Sequence, residues 1–292
     1  MAYDFKGRVA LVTGGGKGIG KEIARGLAEA GAAVAITGRS KEALDENVAE
    51  IEKAGGKALA IAADVTDKAS IERAVAETES KLGPLDILIS NAAIEGPLGP
   101  LWENDTDAWY RCLMTNVMGS VIVAQSVLPG MVQRKQGHVV FVGSGGGLWP
   151  VPFDTGYAVT KAGLIRLAET LALEAEPYNI PVYVIHPGVV HTNMSDTVMN
   201  DPNGQKYLPG YPQALERGQT PIEWASELCN FLVSGEADAL SGRFLSVNDD
   251  YRELAKKADE IKQGDLYTLR LNMTPRPPPP RPFQVGESQR LA

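Results

Sequence analysis

Seven short, almost wholly apolar runs recur along the chain, each followed by a longer stretch of helical period. This alternation limits the folds open to the chain more than any other feature. The runs are Arg8–Thr13, Ala33–Thr37, Lys57–Ile61, Ile87–Ser90, His138–Val142, Val182–Ile185 and Arg243–Ser246. Strands that are apolar nearly throughout are buried on both faces. Strand–helix alternation requires right-handed crossovers, and so gives a parallel sheet with helices on both sides. Helical patterns over Gly18–Ala30 and Lys41–Ala54 fit this scheme, the second stopping at Gly55-Gly56. The fold class predicted is α/β: a doubly wound parallel sheet of about seven strands with helices on both faces.

Residues 1–250 hold this pattern as one domain, with one interruption. Asn193–Thr220 is rich in Pro, Gly, Asn, Tyr and Met and reads as a long loop, a lid over a binding site. After Asp250, residues 251–292 form a C-terminal extension. Tyr251, Leu254, Ala255, Ala258 and Ile261 keep helical spacing, predicting one amphipathic helix over Tyr251–Gln263. The stretch TPRPPPPRPF (274–283) then requires extended, polyproline-like chain, either a tail or a strap over a neighbouring subunit.

Charge excludes some function classes. The chain has 292 residues, 28 Lys and Arg against 36 Asp and Glu, and a formal net charge of −8. Without a basic stripe, nucleic acid and anionic membrane are poor partners. No apolar run approaching the ~20 residues of a membrane span stands out. The N-terminus goes directly into a strand without a signal-peptide core, so a cytoplasmic location is expected. Cys112 and Cys229 form no disulfide framework, and neither they nor the three histidines have metal-ligand spacing.

The first strand runs into TGGGKGIG (13–20), which opens the first helix. Glycines at 14, 18 and 20 permit a tight turn and close approach of a pyrophosphate, and the helix N-terminus offers unpaired N–H groups. A dinucleotide fold usually ends its second strand in an acid that binds the adenosine ribose. Here Gly38 occupies that position and Arg39 follows. Glycine leaves room for a 2′-phosphate, and arginine pairs with it through charge-assisted bonds. Lys17 lies within reach of the same phosphate, so NADP(H) is preferred to NAD(H). Asp64-Val65 and Asn91-Ala92 follow the third and fourth strands, at the carboxyl ends where open α/β sheets bind ligands.

Tyr157 and Lys161 are an i, i+4 pair on one helix face. A nearby ammonium favours the phenolate, making the pair a plausible proton donor and acceptor for a carbonyl or alcohol. Ser144 ends a buried strand, FVGS, where its hydroxyl can bond a substrate oxygen. No obvious base accompanies it, which disfavours a nucleophilic role.

Taken in order, TGGGKGIG, DV, NAA, Asn116 in TNVMGS, Ser144, YAVTK and HPGVVHT resemble the short-chain dehydrogenase/reductase family over Phe5–Asp250. The GxxxGxG spacing with YxxxK is similar to its oxidoreductase branch rather than to the epimerases and dehydratases. The resemblance implies a Rossmann-like fold and a homodimer or homotetramer. It implies Tyr157 as general acid and base, Lys161 holding the nicotinamide ribose and depressing the tyrosine pKa, Ser144 bonding the substrate oxygen, and Asn116 supporting a water relay to Lys161. Thr13, Gly14, Lys17, Gly18, Ile19 and Gly20 would cradle the phosphates. Asp64 and Val65 would meet the adenine, and Asn91 and Ala92 the adenosine ribose. Pro187, Gly188, Val190 and Thr192 would meet the nicotinamide end. Two departures are mild: one serine rather than two at Gly143-Ser144, and Ser90-Asn91-Ala92-Ala93 where NNAG is common.

Three loops would wall the substrate crevice, offering Ile94, Leu98, Leu148, Trp149, Pro150, Phe153, Met194, Met199, Tyr207 and Tyr211, with Glu95, Asp154 and His191 as scattered polar groups. They hold no basic cluster for a substrate phosphate or carboxylate. The partner expected is therefore a neutral, apolar or aromatic ketone or secondary alcohol. Two competing readings are an NAD-dependent alcohol dehydrogenase and a nucleotide-binding sensor without turnover.

Overall fold

The computed structural model describes residues 3–271, so the proline-rich stretch 274–283 lies outside the described residues. Seven strands form one sheet: β1 (Val9–Thr13), β2 (Ala33–Gly38), β3 (Lys57–Ala62), β4 (Ile87–Ser90), β5 (His138–Val142), β6 (Val182–His186) and β7 (Phe244–Ser246). They stand in the order 3-2-1-4-5-6-7, all parallel. The helices, in chain order, are α1 (Gly18–Glu29), α2 (Lys41–Lys53), α3 (Lys68–Leu82), α4 (Thr106–Leu113), α5 (Gly119–Arg134), α6 (Thr155–Ala175), α7 (Asn193–Asn200), α8 (Pro202–Tyr207), α9 (Tyr211–Gly218), α10 (Glu223–Val233), α11 (Tyr251–Lys256) and α12 (Ala258–Gln263).

Successive strand side chains point to opposite faces of the sheet, and the core divides accordingly. Ala10 and Val12 pack with Ile23 and Leu27 of α1, Leu44 of α2 and Leu228 of α10. Val9 and Leu11 pack with Ile71 of α3, Val123 of α5 and Leu164 of α6. Strand order reverses between β1 and β4, which opens a crevice at their carboxyl ends. The glycine loop, Asn91 and the Ser144 turn all fall on that edge because each directly follows its strand.

Three expectations are corrected. Asn193–Thr220 is not an irregular loop but holds α7, α8 and α9. Thr192 and Ser195 form a reciprocal cap on α7, Asp201 caps α8, and prolines open α8 and α9, as proline does at first-turn positions. The helix expected over Tyr251–Gln263 breaks at Lys257 into α11 and α12, which turns Ala258 and Ile261 into the α1–α10 core. Finally, helical chain runs without a break over Thr106–Arg134 and is by length and composition apolar enough to cross a membrane. Its charges lie at the ends, with none between Cys112 and Gln133. In this fold Val123, Val127 and Met131 of that run are core residues against the sheet.

Candidate active site

The glycine loop owes its shape to positions where a side chain has no room. Gly14 has φ +65°, and a Cβ there would stand 2.8 Å from Asn91 Nδ2. A Cβ on Gly20 would stand 2.4 Å from the Gly14 carbonyl oxygen. Gly18 has φ +54° and faces Thr192. Thr13 Oγ1 accepts the backbone N–H groups of Asn91 (3.0 Å) and Ala92 (3.1 Å), while Asn91 Nδ2 donates to the Thr13 carbonyl at 2.9 Å. Thr13 and Asn91 therefore tie β1 to β4 across the switch point. Asn47 was missed from sequence: it is fully buried on α2 and donates through Nδ2 to the Gly15 carbonyl at 2.7 Å. The available signal was a polar residue on the apolar stripe of Leu44 and Ile51.

Beside this loop lies a crevice of about 690 Å³. Of the residues expected to hold a cofactor, Gly14, Lys17, Gly18, Ile19, Gly20, Arg39, Asp64, Val65, Asn91, Ala92 and Thr192 line it, together with Gly38. Residues not anticipated also line it, among them Thr66, Tyr110, Arg111, Met114 and Thr115. Arg39 and Lys17 are exposed at its edge. Asp64 is held below the usual carboxylate range, first by the Thr66 backbone N–H it accepts at 2.9 Å, with a smaller contribution from the Arg39 charge. An opening at a glycine cradle, at the carboxyl ends of β1 and β4, fits a nicotinamide dinucleotide. Of the other residues expected to hold the cofactor, Thr13, Tyr157, Lys161, Pro187, Gly188 and Val190 are not among the crevice residues, nor is Ser144. Gly188 instead adopts φ +89° against Thr220, and Thr220 Oγ1 accepts the Val189 N–H at 3.2 Å, anchoring the lid helices to the end of β6.

Ser144, Tyr157 and Lys161 come together at the junction of β5 and α6. Lys161 is buried, and its Nζ donates to the Val142 carbonyl at 2.8 Å and lies 5.3 Å from the Tyr157 ring centroid. Burial lowers the Lys161 pKa to about 8. Tyr157 moves against expectation: burial, and then the Glu95 charge, push the phenol well above its usual value. The Ser144 hydroxyl lies within hydrogen-bonding reach of the phenol and pulls the other way. Ser144 Oγ also accepts the Gly146 N–H at 3.1 Å, and the neutral-leaning His186 accepts the Gly145 N–H at 3.2 Å. His186 is thus a second support of the serine turn that the sequence did not suggest.

Asn116 sits in a π-helical turn, Met114–Met118, between α4 and α5, a feature that often marks functional sites. Its side chain accepts the Ile94 N–H (2.8 Å) and donates to the Ile94 carbonyl (2.9 Å) and to Thr160 Oγ1 (3.1 Å). The side chain itself does not bond Lys161; it clamps the loop after β4 to the helix carrying Tyr157 and Lys161.

Two carboxyls complete this environment. Glu95 and Asp154 hydrogen-bond one another, which requires a shared proton. Burial, reinforced by the Glu95 charge, raises the Asp154 pKa to about 9, and burial also raises Glu95. Asp154 therefore keeps in the folded chain a proton that the unfolded chain releases near 3.8. The folded state binds more protons across that window, so this group makes stability fall as pH rises from about 4 to about 9. Asp154→Asn has no such proton to lose. Its stability relative to wild type is expected to grow between about pH 5 and about pH 7, read as the difference in urea midpoints. Parallel curves would contradict the shared proton.

Among the proposed substrate contacts, Ile94 and Met194 line the crevice. Phe153 holds φ +68°, a strained value for an aromatic residue, and its ring stacks on Tyr207 at 5.0 Å, joining the α6 entrance to α8. Tyr207 in turn donates to Glu103 at 3.1 Å. Met199 is half-buried and caps Gln205 through its carbonyl. Leu148 and Trp149 point outward, Trp149 being 74% exposed.

Comparison with known proteins identifies the family. A family model described as short chain dehydrogenase matches residues 8–203. A short chain dehydrogenase of Pseudocercospora fijiensis is 33% identical over 274 residues, covering 91% of this chain and 88% of the relative. The 3-oxoacyl-(acyl-carrier-protein) reductase of Aquifex aeolicus is 35% identical over 251 residues, 85% of this chain and 98% of the relative. Among solved structures, a gluconate 5-dehydrogenase from Burkholderia cenocepacia in complex with NADP and tartrate superposes with a TM-score of 0.74 at 29% identity, covering 84% of this chain and 95% of that one. With its match to the family model over residues 8–203 and its seven-stranded Rossmann-like parallel sheet, the chain belongs to the short-chain dehydrogenase/reductase family of oxidoreductases.

Proposed function

We propose that the protein is an NADP(H)-dependent oxidoreductase that reduces a ketone of a neutral, apolar or aromatic small molecule, or oxidises the corresponding secondary alcohol. The observation carrying this reading is a half-buried Tyr157 phenol beside Lys161 and Ser144, in a chain whose glycine-cradle crevice is edged by Arg39 and Lys17. Thr13 and the glycines would hold the pyrophosphate end, Asn91 the adenosine ribose, Arg39 and Lys17 the 2′-phosphate, and Lys161 the nicotinamide ribose. When bound, the nicotinamide supplies or accepts the hydride.

The chain's own residues manage position and proton. Ser144 orients the carbonyl oxygen by donating its hydroxyl proton. Tyr157 delivers its phenolic proton to that oxygen as the carbonyl carbon is reduced, and retrieves it in oxidation. A phenol held above its ordinary pKa stays protonated, which suits the acid role and reduction. Lys161 titrates near 8, so its ammonium stabilises the developing phenolate below that pH and is lost above it. Asn116, in the π-helical turn, holds Ile94 and Thr160, and would support a water relay to Lys161. Exposed Tyr110, Met118, Val159 and Leu173 on α4–α6 support a homodimer or homotetramer. The reading is tested by NADPH and NADH oxidation rates with a panel of aryl and alkyl ketones. Faster turnover with NADPH is expected, and no oxidation of either cofactor by any ketone would overturn it.

A further inference from the structure

Asn47 is a polar side chain in an apolar place. It shares the inner stripe of α2 with Ala43, Leu44 and Ile51, and like Leu44 and Ile51 it is withdrawn from water. Its Nδ2 donates to the Gly15 carbonyl at 2.7 Å, while its Oδ1 is buried with no partner among the described residues. Burying an amide with one end unmatched is unfavourable, so an aliphatic residue would fill this position at less cost. What the asparagine alone supplies is the grip on Gly15.

That grip closes a clamp. The Gly15 N–H donates to the Thr37 carbonyl at 3.1 Å, so this one residue is bound to the end of β2 through its nitrogen and to α2 through its oxygen. A Cβ on Gly15 would stand 2.7 Å from the Ile36 Cβ, and one on Gly16 would stand 3.3 Å from the Ala43 Cβ. The loop therefore lies flat against both elements. The two cations at the crevice edge depend on this clamp: Lys17 is i+2 from Gly15, and Arg39 is i+2 from Thr37, in the short link between β2 and α2. Lys17 stands at the N-cap of α1 and makes no side-chain cap bond, so the backbone beside it sets where the ammonium can reach.

The two cofactors use this loop differently. A pyrophosphate is held by loop backbone and helix N-terminus whichever cofactor is bound. A 2′-phosphate has to be met by Lys17 and Arg39 together, from two separate elements. We propose that Asn47, which does not itself line the crevice, is a positioning residue for cofactor choice. By holding Gly15 to α2 it keeps Lys17 at the distance from Arg39 that a 2′-phosphate requires. This rests on the NADP(H) reading and places a determinant of it outside the crevice.

The test is a double-mutant cycle. NADPH and NADH are titrated by protein fluorescence into wild type, Asn47→Leu, Lys17→Met and the two substitutions combined. Asn47→Leu is expected to lower the preference for NADPH over NADH about 10-fold, the order of one misplaced charge-assisted bond to phosphate. In the Lys17→Met background it should leave the preference unchanged, because the group it positions is gone. Asn47→Gln keeps a donor and is expected to retain part of the preference. Asn47→Ala carries the same comparison if Asn47→Leu does not fold. An equal loss for both cofactors would make Asn47 a support of the loop alone and overturn the proposal, and so would a preference that still falls without Lys17. A wild-type preference that Asn47→Leu leaves intact overturns this inference only, whereas a wild type without any preference removes the NADP(H) reading and this inference with it.

Discussion

Replacing Tyr157 with phenylalanine is expected to lower ketone reduction about a hundred- to ten-thousandfold, the range a positioned general acid supplies, while NADPH binding persists. The substitution removes only the phenolic oxygen. The ring keeps its place beside Lys161, whose Nζ is held by the Val142 carbonyl rather than by the phenol. The fold should tolerate the change, because the hydroxyl's protein partner, Ser144, also accepts the Gly146 N–H. Steady-state rates together with a fluorescence titration by NADPH separate the two effects. A binding protein without turnover would lose nothing in the variant. Loss of rate with cofactor affinity intact identifies the phenol as the proton source.

Arg39→Asp is the second large effect. The side chain is exposed at the crevice edge, where Gly38 leaves space and the Asp64 carboxylate lies near enough to feel the arginine's charge. A charge-assisted bond to a phosphate is worth about 1.5–3 kcal/mol. The aspartate removes that bond and adds repulsion, so NADPH affinity is expected to fall at least roughly 30-fold. NADH affinity should hold or improve, because an acid at this strand end bonds ribose hydroxyls. Lys17 remains in the loop and limits the loss. Equal affinities for the two cofactors in wild type would instead make both cations ordinary surface charges and favour an NAD-dependent alcohol dehydrogenase.

Much of this architecture was legible in the sequence because its signals are local. Each strand is a short apolar run, and the glycine loop, Asp64, Asn91 and Ser144 are readable as strand ends, so their common edge follows from parallel topology alone. The lid was misread because proline and glycine were counted as breakers, whereas Pro202 and Pro212 begin helices and Thr192 with Ser195 caps one. Asn47 and His186 act on the site through backbone contacts across the fold, and sequence offers only a polar residue in an apolar pattern. The direction of the Tyr157 shift was also hidden. The i, i+4 spacing announced Lys161, but burial and then Glu95, brought in from the loop after β4, set the direction of the shift.

The most direct test follows the transferred hydrogen. NADPH deuterated at the reactive nicotinamide carbon is incubated with the protein and an aryl or alkyl ketone that it consumes, and the product is analysed by mass spectrometry. The expected product is the alcohol carrying one deuterium on its carbinol carbon in a single configuration, formed by wild type and strongly reduced with Tyr157→Phe. Unlabelled alcohol, or NADPH left unoxidised across the ketone panel, would contradict hydride transfer at this site.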